Sequence, residues 1–349
     1  MRDLIIFAAG GTAGHIFPAA ALASELKNYG LTTRLIVDKR GSKFIQKDNE
    51  SFDDMITLPI SRLNWIYFLK SPYLLLKSLY TIKNAKQVIC FGGYTSLFPF
   101  LAALILRKER IIYQLDSHIT RLNRLLIPFA NKVFYGFAQT NLKNYKKSYC
   151  FGIPVRKGFE FSFIKKDKTL NIAIIGGSLG SNYWQSLISQ AMEFIPDHIR
   201  SSISLKIQTN QSIDFLKKFN LSSLEKQEFY DTAKLFTASH LIIARAGAAS
   251  IAEISSIARA AYLVPWNRSI ENHQYKNAKN YSHFKGAEFG NDPKQLAEYI
   301  IKIAESNEFF YQICANASLS LPQFAKNKVS AFLLNSQKLK HIPSYLQQL

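Results

Sequence analysis

The chain of 349 residues makes the same turn twice. Residues 4–15 read LIIFAAGGTAGH, an apolar run into Gly10-Gly11-x-x-Gly14. At an offset of 166 residues, 171–181 read NIAIIGGSLGS, an apolar run into Gly176-Gly177-x-x-Gly180. A strand that ends in glycines and passes straight into a helix opens a doubly wound parallel sheet. There, main-chain N–H groups and a helix N-terminus can approach an anion closely. Meeting the turn twice predicts an α/β protein with two doubly wound, Rossmann-like domains facing across a cleft. One such turn is equally well a ligand-free strand-to-helix corner; a matched pair favours a ligand. Neither loop is G-x-G-x-x-G, and neither is followed by the Lys-Ser/Thr of a P-loop, so dinucleotide and ATP readings are weak.

Short apolar runs alternate with longer amphipathic segments along the whole chain, as βα units require. The first series of strands is expected at Leu4–Ala9, Thr33–Val37, Val88–Phe91, Ile111–Leu115 and Val133–Phe137. The second is expected at Asn171–Ile175, Leu205–Gln208, Leu241–Ala244 and Ala261–Val264. Residues 1–155 are thus expected to form an N-terminal domain and 156–328 a C-terminal domain. Gly152 to Arg156 and the stretch to Lys168 read as a hinge, and a last helix at 329–349 packs back on the first domain. Cys90, Cys150 and Cys314 are far apart and odd in number, which suits a reducing compartment and neither a disulfide framework nor a metal-ligand set. The longest apolar stretch, Leu97 to Leu106, is too short to span a bilayer.

Charge is the next constraint. The chain carries 44 Lys+Arg against 24 Asp+Glu, a formal +20. Between Met55 and Phe159 the only acids are Glu109 and Asp116 against 16 basic residues, so this window alone holds +14. An excess of this kind implies an anionic partner. Within the window, residues 63–87 interleave Trp65, Tyr67, Phe68 and Tyr73 with Lys70, Lys77, Lys83 and Lys86, and Ser71-Pro72 suits an N-cap and first helical position. An ordinary core-packed helix with solvated lysines is the competing reading.

Three further groups carry chemistry. His15 stands at the mouth of the first helix, where doubly wound sheets place ligands. Ser178 adds a hydroxyl to the second glycine turn that could bond a diphosphate. After the strand at 241–244, the small-residue turn Arg245-Ala246-Gly247-Ala248-Ala249-Ser250 runs into a helix bearing Glu253. Ser250-x-x-Glu253 fits a capping box, while a carboxylate there also suits a ribose diol. Asn272-His273-Gln274-x-x-Asn277 opens a polar helix able to read sugar hydroxyls.

Together these motifs resemble the MurG family of bacterial cell-wall N-acetylglucosaminyltransferases. FAAGGTAGHIFPAAALASEL (7–26), FGGYTS (91–96), LNRLLIPFANKV (122–133), GIPVR (152–156), GGSLGS (176–181), IARAGAASIAEI (243–254) and NHQYKNA (272–278) match the family's elements in order. The resemblance implies a glycosyltransferase type B fold and an inverting transfer that needs no metal and no cofactor. The donor it implies is UDP-N-acetylglucosamine, and the acceptor is the muramoyl C4 hydroxyl of undecaprenyl-pyrophosphoryl-muramoyl-pentapeptide (lipid I), giving lipid II. It also implies a peripheral position on the cytoplasmic face of the inner membrane. The sequence agrees on metal, since it has no Asp-x-Asp. By similarity, Thr12, Ala13 and Gly14 face the donor sugar and diphosphate, and Arg156 and Ser178 contact UDP. Tyr230 falls at the uracil and Ala248 in the loop leading to Glu253, which holds the ribose. His273 and Gln274 take the N-acetylglucosamine hydroxyls, and His15 is the base.

Several positions depart from the family. Ala13 replaces a glycine, and the family's His-Glu-Gln-Asn is Tyr113-Gln114-Leu115-Asp116, which puts a carboxylate near a diphosphate. Ser239-His240 stands for Ala-Asp, and Ala258-Arg259-Ala260 stands for Gly-x-Pro. With a lipid acceptor implied, the 63–87 segment, with Trp65, Phe68, Lys70, Lys77 and Lys83, reads as a patch for an anionic membrane surface. The alternatives are another UDP-sugar enzyme of the fold, such as a 2-epimerase or another lipid glycosyltransferase, a non-catalytic descendant, or a basic nucleic-acid-binding protein. The last lacks any nucleic-acid module and leaves both glycine turns unexplained.

Overall fold

The computed structural model describes residues 3–45, 50–60, 70–138, 140, 142, 145–176, 183–266 and 269–336. The expected sites Trp65, Phe68 and Ser178, with Tyr67, lie outside the described residues, as does the tail beyond 336. The chain forms two compact units, Met1–Arg156 with Pro322–Leu349, and Lys157–Leu321.

The first unit is an all-parallel sheet of seven strands: β1 (Leu4–Ala8), β2 (Thr32–Asp38), β3 (Asp54–Leu58), β4 (Gln87–Cys90), β5 (Glu109–Gln114), β6 (Lys132–Tyr135) and β7 (Ser148–Cys150). Their order is β3-β2-β1-β4-β5-β6-β7. The helices are α1 (Ala13–Asn28), α2 (Ser42–Ile45), α3 (Ser71–Ile82), α4 (Leu97–Ile105) and α5 (Arg121–Leu126). Ile5, Ile6 and Phe7 of β1 are fully buried, as a central strand covered on both faces demands. Neighbouring rings line up across the sheet. Phe7 stacks on Phe91 at 6.0 Å, Phe91 on Tyr113 at 5.1 Å, and Phe134 meets Tyr113 edge-on at 5.7 Å. Tyr113, at the family's histidine position, is a core residue whose hydroxyl donates to the Gly152 carbonyl at 2.9 Å.

The second unit repeats the design with six parallel strands: β8 (Leu170–Ile175), β9 (Ile203–Gln208), β10 (Ser223–Gln227), β11 (Leu241–Ala244), β12 (Ala260–Leu263) and β13 (Ala287–Phe289). Their order is β10-β9-β8-β11-β12-β13. Its helices are α6 (Tyr183–Phe194), α7 (Asp197–Arg200), α8 (Thr232–Thr237), α9 (Ala248–Ser256), α10 (His273–Ser282), α11 (Pro293–Glu305) and α12 (Asn307–Leu319). The chain returns to the first unit at Pro322, ahead of residue 329. Gly152, at φ +89, makes the return close, since any Cβ there would collide with the Pro322 carbonyl. The last helix, α13 (Ala325–Ser336), docks on the first unit. Phe332 meets Phe134, Tyr149 and Phe151, and Asn327 donates to Glu25 of α1 at 3.1 Å.

Two capping expectations fail. Lys70, not Ser71, occupies the N-cap of α3. Helix α9 begins at Ala248 behind an N-cap Gly247 without a side-chain cap, so Ser250 sits inside the helix and the Ser250–Glu253 box is not formed. The small residues of the turn let the helix start three positions earlier than the box requires.

A strap, residues 158–168, is tied down where β11 and β12 begin. Arg259, 1% exposed, donates to Ser162 O (2.6 Å), Ser162 Oγ (2.9 Å), Ile257 O (2.6 Å) and Thr237 O (2.8 Å). His240 Nδ1 accepts from the Asn171 N–H at 2.9 Å, which leaves Nε2–H to donate to Lys165 O at 3.0 Å. The Nδ1 bond needs the neutral imidazole, and burial holds its pKa below the ordinary 6.5, with the Arg259 charge acting in the same direction. A lowered folded-state pKa gives stability that is complete above pH 6.5 and is lost as pH falls below it, because the unfolded chain then binds the extra proton. Between about pH 7.5 and pH 5 the melting temperature of the wild type should therefore fall more steeply than that of His240→Gln. Parallel curves, followed by circular dichroism, would exclude His240 as the titrating group.

Candidate functional site

In both sheets the strand order reverses at the strand carrying the glycine turn, and ligands of doubly wound sheets bind outside the carboxyl ends of the strands at that reversal. In the first unit this point lies between β1 and β4. Gly10 leaves β1 under tight constraint, because a Cβ there would collide with Thr95 Oγ1 and lie 2.7 Å from Asp38 Oδ1. Asp38, 6% exposed at the end of β2, accepts from the Gly11 N–H at 2.8 Å and the Gly41 N–H at 3.0 Å. This acid was not picked out in the sequence. Its position at the end of the second strand marks it, but its carboxylate is committed to the protein's own turns.

Thr12 caps α1 in extended backbone without a side-chain bond, and Ala13 and Gly14 begin a 16-residue helix whose first turn holds no acid. The N–H groups there are free of helical partners and the helix dipole is positive. Pro18, inside the helix, has no N–H to offer the Gly14 carbonyl.

His15 is half-buried, with Nδ1 3.2 Å from the Gly10 carbonyl. A carbonyl only accepts, so Nδ1 carries the proton and Nε2 keeps its lone pair. The ring lies against Gly92-Gly93, which follow β4 at φ +93 and +74. Nε2 is 3.6 Å from where a Gly92 Cβ would stand, so glycine at that position leaves the ring its space. Ser96 holds the platform, accepting from the Gly92 N–H at 3.1 Å and lying 3.1 Å from the Ala8 carbonyl. Asp116 follows β5 half-buried, and its carbonyl accepts from Gln114 at 2.9 Å. Arg156 closes the first unit rather than opening the second, and its guanidinium rests 4.1 Å from the centre of the Phe17 ring of α1.

In the second unit Gly176 ends β8 against Trp184, whose Nε1 would be 2.9 Å from a Cβ. At the neighbouring strand ends, Ala248 is the first residue of α9 and Glu253, 5% exposed, lies one turn further on. Asn277 Nδ2 donates to Ala246 O at 3.2 Å and so joins α10 to the turn before α9. Glu271 and Asn272, at φ 54 and 55, form a left-handed corner that turns the chain into α10 at His273. Consecutive non-glycine residues in that region store strain of a kind common at functional sites. Gln274 Oε1 accepts from the Trp266 N–H at 2.9 Å, which fixes the amide orientation and leaves its NH2 as a donor. Trp266, with Arg245 5.9 Å from its ring, was not foreseen; it follows Pro265 at a strand end. Tyr230 lies between β10 and α8 in the chain, and burial pushes its phenol pKa up. Among the described residues no cluster of His, Cys, Asp and Glu could hold a metal ion.

The first unit offers a half-buried imidazole whose Nε2 keeps its lone pair and main-chain donors for an anion; the second unit, by itself, holds a buried carboxylate on α9 and an oriented amide on α10. Comparisons with known proteins agree with such an inventory. The glycosyltransferase family 28 N-terminal domain matches residues 5–135, and the family 28 C-terminal domain matches residues 171–327. A relative from Wolbachia sp. subsp. Drosophila simulans (strain wRi) is 35% identical over 285 residues, covering 79% of this chain and 81% of its own. One from Bartonella henselae is 28% identical over 304 residues, covering 82% and 80%. Both are named UDP-N-acetylglucosamine--N-acetylmuramyl-(pentapeptide) pyrophosphoryl-undecaprenol N-acetylglucosamine transferase. Among solved structures, Acinetobacter baumannii MurG matches with a TM-score of 0.79 at 21% identity, covering 96% of this chain and all of that one. A putative UDP-N-acetylglucosamine 2-epimerase from Listeria monocytogenes matches with 0.71 at 12% identity, covering 98% of each chain.

Replacing Asp38 by alanine should destabilise the protein by about 1–3 kcal/mol, because one buried and one part-buried N–H group lose their acceptor. Asp38→Asn, which keeps one oxygen, should recover most of the loss in denaturant midpoint.

Proposed function

The chain belongs to the MurG family, built from the two domains of glycosyltransferase family 28, and from that premise we infer that it makes lipid II. It transfers N-acetylglucosamine from UDP-N-acetylglucosamine to the C4 hydroxyl of the muramoyl unit of lipid I. The hydroxyl oxygen attacks the anomeric carbon with inversion, its proton passes to His15 Nε2, and the bond to the β-phosphate oxygen breaks as UDP leaves with the electron pair. One observation carries the base assignment: the Gly10 carbonyl fixes the His15 tautomer and leaves the proton-accepting nitrogen on the Gly92 side at the strand-order reversal.

The remaining roles follow the family pattern. Charge on the departing diphosphate is met by main-chain N–H groups of the second glycine turn, by Ser178 and by the Arg156 guanidinium. Thr12, Ala13 and Gly14 line the first turn, with Asp116 nearby. The main chain at Tyr230 faces uracil, and Glu253, behind Ala248, takes the ribose diol. His273 and the NH2 of Gln274 read the hexosamine hydroxyls. In a UDP-release assay with a soluble lipid I analogue, His15→Ala should lower kcat by about 10²–10⁴ with an unchanged melting temperature. Turnover within a few-fold of wild type would remove His15 as the base. Epimerised donor formed without any acceptor would instead place the chain with the 2-epimerases that share its fold.

The lipid acceptor requires contact with a membrane, and among the described residues no helix is long and apolar enough to cross one. We place that contact on α3. Leu74, Ser78 and Ile82 face the core, whereas Tyr73, Leu76 and Tyr80 are 52%, 66% and 73% exposed. Lys77 lies over the Tyr73 ring at 5.9 Å and Lys83 over the Tyr80 ring at 4.3 Å, with Lys70 exposed at the helix start. Aromatic and aliphatic groups ringed by ammonium heads suit an anionic bilayer surface on the cytoplasmic side. Vesicle flotation should show binding that needs anionic lipid and weakens with salt. A Leu76→Glu, Tyr80→Glu variant should lose about tenfold or more in affinity. Equal, salt-independent binding to neutral vesicles would refute the electrostatic component.

A further inference from the structure

Gln114 stands at the carboxyl end of β5, 1% exposed, where the family carries a glutamate. Its Nε2 donates to two main-chain carbonyls of the following loop, Asp116 O at 2.9 Å and His118 O at 2.8 Å. Since carbonyls only accept, the amide orientation is fixed, and Oε1 faces Asn123 Nδ2 at 2.7 Å. A carboxylate could keep the Asn123 bond but would set an oxygen without a proton against two carbonyl oxygens. The side chain at 114 must therefore donate as well as accept.

The second amide of the chain is also oriented. Asn123, 2% exposed on α5, spends Nδ2 on Gln114, and its buried Oδ1 has no hydrogen-bond partner. An orphaned acceptor at such burial costs about 1–3 kcal/mol. The same amide lies against the platform that supports the base, with Nδ2 3.8 Å and His15 Nε2 3.6 Å from the Cβ position of Gly92. One glycine thus lies between the Asn123 amide and the imidazole.

We propose that Gln114 and Asn123 form an amide relay that positions the acceptor sugar for His15. Asn123 Oδ1 receives a hydroxyl or amide N–H of the acceptor, and Gln114 acts as a positioning residue that aims Asn123 and holds the loop at 115–118. The relay rests on the transferase reading above and adds what selects and orients the acceptor beside the base. It leaves the donor half of the reaction to the second unit. It also accounts for the departure from glutamate, because this loop is held by donors that a carboxylate lacks.

The test is steady-state kinetics of UDP release with a soluble lipid I analogue, varying each substrate separately. Asn123→Ala should raise KM for the acceptor about tenfold and leave KM for UDP-N-acetylglucosamine within about twofold. Gln114→Glu should lower kcat/KM for the acceptor about ten- to hundredfold near pH 8. Its ratio to wild type should recover toward pH 5–6, where a protonated acid regains one donor; Gln114→Met should show no such recovery. Hydrogen exchange at residues 115–119 should speed up in Gln114→Glu at pH 8 whether or not a substrate is present. Unchanged acceptor KM in Asn123→Ala, or a Gln114→Glu loss independent of pH, overturns the proposal. So does loss of fold in both variants, since the amides would then serve folding alone. Absence of UDP release from the wild type would count against the transferase reading instead, and the loop exchange would still decide whether Gln114 holds the loop.

Discussion

The structure depends on how closely the main chain can pass itself at the ends of the central strands. At Gly10 the backbone leaves β1 so near Thr95 and Asp38 that no Cβ fits, and at Gly176 the indole of Trp184 imposes the same condition on β8. Each approach sits at the reversal of strand order, so the packing constraint and the binding opportunity coincide. The first turn then directs α1, α1 carries His15, and the Gly10 carbonyl sets which imidazole nitrogen holds the proton. A larger residue at position 10 would disturb all three.

Polar groups inside the units are matched largely to main chain rather than to opposite charges. Asp38 binds two N–H groups, Arg259 donates to carbonyls and one hydroxyl, and His240 is bracketed by an N–H and a carbonyl. Such partners are fixed by the fold and do not titrate, so they hold a loop in one place at any salt concentration. The surface ion pairs, such as Lys27–Asp53 and Arg34–Asp54, are exposed and contribute little by comparison. The formal charge of +20 is therefore not what holds the chain together; it is available to partners.

The central strands were legible in the sequence because strands buried on both faces are unbroken apolar runs. LIIFA, QVIC and LIIA lie at the expected places within one or two residues. The outer strands β3, β7, β10 and β13 were missed. DMITL, SYC, SLEKQ and AEF are short and partly exposed, and their polar residues erase the run that marks an inner strand. At the site, His15, Glu253 and Gln274 could be singled out because their motifs have fixed spacing. Asp38, Asn123 and Trp266 could not, since each does its work through a main-chain group or an amide brought in from another element. Their partners are set by strand order, which a linear pattern does not contain.

The departures from the family pattern obey the same logic. Ala258 takes φ 54 at the end of α9, where the family has glycine, and the next N–H still bonds Ile254 O at 3.3 Å, so the helix stop survives an unfavourable residue. Arg259 and His240 then converge on one strap at Ser162 and Lys165, and His240 donates to a carbonyl that the family's aspartate, as a carboxylate, could not serve. The change to Gln114 is of this kind as well, since donors replace a carboxylate where the neighbouring groups are carbonyls. In each place a side-chain donor meets a main-chain carbonyl, so the loop is held by partners whose positions the fold fixes.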